Sequence, residues 1–115
     1  MHSLSEPKED LVFRIISEVQ FEERLTGYRM RERAGAIRAS MYSFEEVVHL
    51  LNDQFPYVNL KTLEKWIKEI IGDEELAETI AEVTEQENND RDKLSRVRAL
   101  MGERLCQCKK AVHSG

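Results

Sequence analysis

Apolar residues recur along this chain mostly at the three- and four-residue spacing of one α-helix face, broken by short polar stretches. Leu11, Val12, Ile15, Ile16 and Val19 make a first stripe, with Ser5 as candidate cap and Pro7, Glu9 and Asp10 suited to the opening turn. Thr26-Gly27 is the expected stop. Ser43-Phe44-Glu45-Glu46 is a capping box, and the helix it opens carries Phe44, Val47, Val48 and Leu51. Pro56 disfavours helical geometry at Phe55, and Asn59 caps a helix with Leu60, Leu63, Trp66, Ile67, Ile70 and Ile71 as its apolar side. Gly72 closes that helix. Asp73 opens another, with Glu74 and Glu75 complementing its dipole and Leu76, Ile80 and Val83 facing inward.

Residues 85–90, "EQENND", are a polar hinge before a long last helix over about 91–112. Its apolar positions Leu94, Val97, Met101, Leu105, Cys108 and Val112 are spaced at about 3.6 residues. A heptad would put Arg104 in the core, so a docking helix is predicted rather than a coiled coil.

The stretch "YRMRERAGAIRASM" permits two readings. Tyr28 and Met30 alternate with Arg29, Arg31 and Arg33 as in a strand, while Met30, Ala34, Ile37 and Met41 recur as on a helix. A lone strand needs a partner and no other segment alternates clearly, so the helix is predicted. Gly35 weakens it by about 1 kcal/mol. The expected architecture is therefore all-α: one domain over 1–115, a compact bundle of five or six helices with a flexible end at residues 1–5. Trp66 is expected to be buried against the helix of Phe44 to Leu51.

The stretch "WIKEIIGDEELA", after an upstream capped helix, resembles an uncharacterised family of small prokaryotic helical domains. The likeness covers about Phe44 to Val83 and rests on Trp66, Ile67, Gly72, Asp73, Leu76 and Ala77. Pro56-Tyr57 departs from the more polar approach to the Trp helix that the resemblance implies. It implies a helical fold and no particular chemistry.

Composition narrows the function classes. Two prolines and five glycines favour helices over a turn-rich β-fold. No apolar run nears the roughly 20 residues that span a membrane, and "MHSLSEPKED" does not read as a secretory signal. With only Cys106 and Cys108, no disulfide framework exists, and a cytoplasmic, prokaryotic setting is expected. A net charge of −5 disfavours general affinity for nucleic acid.

No phosphate loop, nucleophile elbow or Ser/His/Asp constellation is visible, so no catalytic residue and no cofactor are assigned. Glu46 and His49 stand one turn apart, as in di-iron bundles, but those need a second pair, and His2 and His113 lie near the termini. Cys106, Cys108 and His113 lack a fourth ligand for structural zinc, so no metal is assigned either.

Two candidate surfaces remain. Arg24, Arg29, Arg31, Arg33 and Arg38 face a single Glu32 between residues 24 and 41. Arginine forks at this density suit an acidic protein segment or a phosphate backbone; the acidic segment is favoured, and the "DEELAETIAEVTEQE" helix of a second copy of the chain would be a complement. A non-catalytic interaction or regulatory module is the function this reading favours. The alternative is a DNA-binding regulator of helix-turn-helix type, with helices at about 44–53 and 60–71 and Lys61, Thr62, Lys65 and Lys68 turned outward. Against it stand the long connection "DQFPYVN" and the presence of Glu64 and Glu69 on the reading helix.

Overall fold

In the computed structural model, which describes residues 4–31, 33–53 and 56–113, the stretch from Tyr28 to Met41 is not a helix. It is most of a β-hairpin, with β1 at Leu25–Arg31 and β2 at Gly35–Met41. The fold is therefore α+β, not all-α. Among the described residues it holds five α-helices and an antiparallel sheet ordered β2-β1-β3, where β3 is Pro56–Tyr57. The helices are α1 (Glu9–Ile16), α2 (Phe44–Leu51), α3 (Leu60–Trp66), α4 (Glu74–Gln86) and α5 (Asp90–His113).

The missing partner strand was within the segment itself. Ile37, Ala39 and Met41 alternate with Ala36, Arg38 and Ser40, and the two halves fold back around Gly35 at φ 72°. The apparent helical stripe then dissolves. Met30 and Ile37 occupy opposite faces of the hairpin, since Met30 pairs with Ala36 and Ile37 with Arg29. Gly27, expected to stop a helix, is instead the point where the sheet meets the core. A Cβ there would lie 2.8 Å from Leu50 Cδ2 and 2.9 Å from the Tyr57 carbonyl oxygen.

Proline has no N–H, so the hydrogen-bonded pair between β1 and β3 is Tyr28 with Tyr57, not Arg29 with Pro56. That parity turns the main-chain groups of Leu25, Gly27, Arg29 and Arg31 toward β2. The same alternation turns those of Ala36, Arg38 and Ser40 to the open edge of β2.

α1 also differs from its sequence reading. It starts at Glu9 without a side-chain cap and ends at Ile16, after which Glu18 bridges to Ser43 and the Val19 amide donates to the Tyr42 carbonyl at 2.6 Å. Ser5 is not a cap; its amide donates to the Glu75 carboxylate.

The remaining caps follow local chemistry. Ser43 Oγ accepts from the Glu46 amide, Asn59 Oδ1 from Thr62 and Asp73 Oδ1 from Leu76. The Glu46 carboxylate returns to the Tyr42 amide rather than to Ser43. After Trp66 the helix widens into a π-turn over Ile67–Ile71, where the Gly72 and Asp73 amides share the Ile67 carbonyl and Gly72 takes φ 85°. Trp66 is buried, and its indole N–H donates to the Glu23 carbonyl at 2.6 Å.

Arg104, placed outside the core by the heptad reasoning, is buried at 1% exposure. Its Nε donates to Asp73 Oδ2 at 2.8 Å, Nη2 to Glu75 Oε1 at 2.7 Å, and Nη1 to the Ser5 carbonyl at 2.6 Å and Gln107 Oε1 at 2.9 Å. Gln107 Nε2 continues the network to the Leu4 carbonyl. The core around it draws on every helix, with Ile15, Phe44, Leu63, Ile80 and Met101 fully covered. Phe55 and Glu32 lie outside the described residues.

Removing the guanidinium leaves Asp73 buried without its counter-ion. Arg104→Ala is expected to lower unfolding free energy by about 3–5 kcal/mol in denaturant titration, and a loss under about 1 kcal/mol would contradict a closed ion network. Acid should act on the same network. Burial disfavours the charged Glu75 carboxylate, but the Ser5 amide and Arg104 outweigh it and hold its pKa below the ordinary 4.5. A depressed carboxylate contributes stability above the unfolded pKa and loses it as pH falls through the folded one. Melting temperature should thus drop on acidification below about pH 4.5 by less in Glu75→Gln than in the parent chain; equal drops would mean Glu75 is not linked to folding.

Candidate functional site

The arginines that the sequence groups together are divided by the hairpin. Arg29 Nε lies 2.9 Å from Asp53 Oδ2, at an angle outside that of a hydrogen bond, and Arg31 Nη2 lies 3.8 Å from the same oxygen. Both therefore prop the core-side face of β1 against the residues that follow α2. Arg24 folds over the Phe21 ring at 4.0 Å from its centroid and donates to the Phe21 carbonyl. Arg33, in the turn, and Arg38, on β2, are exposed and join no ion pair among the described residues. A helical array with Arg29 and Arg33 one turn apart does not exist.

The opposite face of the sheet is the more telling surface. Tyr28 and Met30 of β1 stand beside Ala36 and Arg38 of β2 and Tyr57 of β3, all pointing away from the core by strand alternation. The Tyr28 and Tyr57 rings are 6.3 Å apart at 46°. Met30 is 48% and Tyr57 56% exposed, although both are large and apolar enough to be core residues.

This face runs into a cleft of about 920 Å³. Its walls are Met30, the segment Pro56–Lys61, Thr84 and Glu85 at the end of α4, and Asp90, Arg91, Lys93 and Leu94 at the start of α5. Met30, Tyr57, Leu60 and Leu94 supply the apolar lining. Lys61, Arg91 and Lys93 oppose Glu85 and Asp90 around the rim, and none of the five joins an ion pair among the described residues. Such a cleft, apolar within and mixed in charge at its mouth, suits a side chain or short segment of a partner.

The lysines of the helix-turn-helix reading are indeed outward: Lys61, Thr62, Lys65 and Lys68 are exposed, opposite the buried Leu63, Trp66 and Ile67. Only Lys61 belongs to the cleft. The connection from α2 to α3 spans residues 52–59 and contains β3, which is hydrogen-bonded into the sheet. Glu64, half-buried, and Glu69, exposed, share the face with the lysines.

The metal candidates stay apart. Glu46 is engaged at the Tyr42 amide and His49 is exposed, while His2 lies outside the described residues. Among the described residues no group of three or more His, Cys, Asp and Glu could hold an ion. Cys106 is exposed, and Cys108 is buried on the inner side of α5, where burial pushes its thiol pKa up.

Sequence reasoning passed over Tyr28, Met30, Tyr57, Leu60, Leu94, Arg91 and Lys93 as a group, because they come from three separate stretches. The available signal was the strict alternation around Tyr28 and the proline just before Tyr57. Among the described residues, no helix is long and apolar enough to cross a membrane. Comparison with family models, curated proteins and solved structures finds no match to the chain.

The two thiols provide a check on α5. A thiol-reactive chromophore should titrate Cys106 in the native protein and Cys108 only after denaturant is added. Fast reaction of both in buffer would place α5 differently.

Proposed function

We propose that this chain is a non-catalytic protein-interaction module that seats a partner segment in the cleft between the sheet and the start of α5. The observation that carries the reading is convergence: Met30 and Tyr57, both exposed, meet Leu60 and Leu94, half-buried at the margin of the core, to line one open cleft. Folding gains little from leaving such side chains in water, whereas a partner that covers them gains the burial. The rim charges supply orientation, since each can pair with an opposite charge on the visitor. The two free thiols fit a reducing cytoplasm, the setting we propose for it.

The test starts from peptides selected against the purified chain from a random display library. Their chemical-shift footprint should centre on Met30, Tyr57 and Leu94, and Leu94→Glu should weaken them by roughly tenfold or more, as at an interface hot spot. A footprint elsewhere would sink the cleft reading. Duplex DNA that binds with steep salt dependence and perturbs Lys61, Lys65 and Lys68 would favour the regulator instead.

A further inference from the structure

β2 is an edge strand with few of the devices that usually protect one, a single charged side chain, Arg38, being the exception. Its seven residues contain no proline and no lysine, and its pairing with β1 runs residue for residue from Leu25–Met41 to Arg31–Gly35 without a bulge. The parity fixed by Pro56 leaves the main-chain groups of Ala36, Arg38 and Ser40 facing outward. Tyr42, two positions on with the same parity, shows what this edge can hold: its carbonyl already accepts the Val19 amide, next to the Glu18–Ser43 bridge. Among the described residues the chain thus covers the edge at its α2 end and leaves the rest open.

We propose that the open edge of β2 takes up an extended acidic segment of a partner protein by strand addition. This surface lies at the far side of the sheet from the cleft and does not depend on it. Main-chain bonds to Ala36, Arg38 and Ser40 hold the visiting strand, and its side chains alternate between the two faces of the sheet. On the outer face it meets Arg38, and Arg33 stands at the turn; these are the two arginines of the cluster that join neither an ion pair nor a ring among the described residues. On the other face it meets Ile37, 43% exposed. The matching sequence therefore alternates acidic with apolar residues.

A second copy is a poorer occupant. The acidic residues 74–86 form helix α4, whose Leu76, Ala77, Ile80 and Val83 are buried, so they cannot present a free strand. Pairing β2 with β2 of another molecule about its middle would set Arg38 against Arg38.

The experiment uses the full chain and a fluorescent peptide alternating glutamate and valine, read by anisotropy and by amide hydrogen exchange. Saturable binding is expected, with slowed exchange at Ala36, Arg38 and Ser40. Arg38→Glu should weaken it roughly tenfold, the effect of turning an exposed attraction into a repulsion, with an unchanged melting curve showing that the variant is folded. A peptide N-methylated at the bonding positions should not bind. The proposal is overturned by equal binding of the N-methylated peptide or of a scrambled one. It is overturned equally by absence of binding, by protection at Met30 and Tyr57 instead, or by slowed exchange at the edge from self-association alone.

Discussion

The guanidinium of Arg104 is the constraint on which the rest of the molecule depends. A charge at 1% exposure persists only when its donors are used, and here they reach Asp73, Glu75, Gln107 and the Ser5 carbonyl. These partners come from the N-terminal stretch, from the start of α4 and from α5 itself. Asp73 serves two purposes at once, since one oxygen caps α4 and the other receives the Arg104 Nε. Its position must therefore be set from the other side, by the π-turn and by Gly72 in the left-handed region. The end of the exposed Arg14 side chain of α1 lies over the same corner, 2.5 Å from where a Gly72 Cβ would stand.

With the helices tied in this way, the hairpin is packed on the core at its base. Leu25 and Met41 are buried and Gly27 lies against Leu50, whereas the half beyond Tyr28 stands clear of the helices. Asp53, at the end of α2, is the strut to that outer half through Arg29 and Arg31. Two of the five arginines are thereby spent on architecture and a third on Phe21. An arginine cluster in sequence is thus not one surface in space.

What could be read from the sequence was whatever is decided within a few residues. Ser43, Asn59 and Asp73 cap helices because a short polar side chain reaches an amide three positions on, and Gly72 ends one because it tolerates positive φ. The hairpin failed this test of locality. Its alternation was visible around Tyr28, but Met30, Ala34, Ile37 and Met41 imitate a helix face, and the turn at Gly35 had to be recognised before the second half could count as a strand. Arg104 failed for a different reason: its counter-ion is 31 residues away in sequence, and residue type alone argues against burial. The cleft, made from β1, β3 and the ends of α3, α4 and α5, had no contiguous signal.

The same contrast separates what the fold needs from what it leaves over. Covering Met30 or Tyr57 would have required only a longer β3 or a helix across the outer face, and neither is present among the described residues. The β2 edge is a sharper case, because a single lysine or proline would blunt it without touching the core. Instead the strand keeps a regular register and a small-residue composition, which lets another backbone approach closely. Stability resides in the Arg104 network and the helical core, so the distal hairpin is free to carry surface that folding does not require. That division puts recognition on the sheet and rigidity in the helices, with Asp53 as the joint between them.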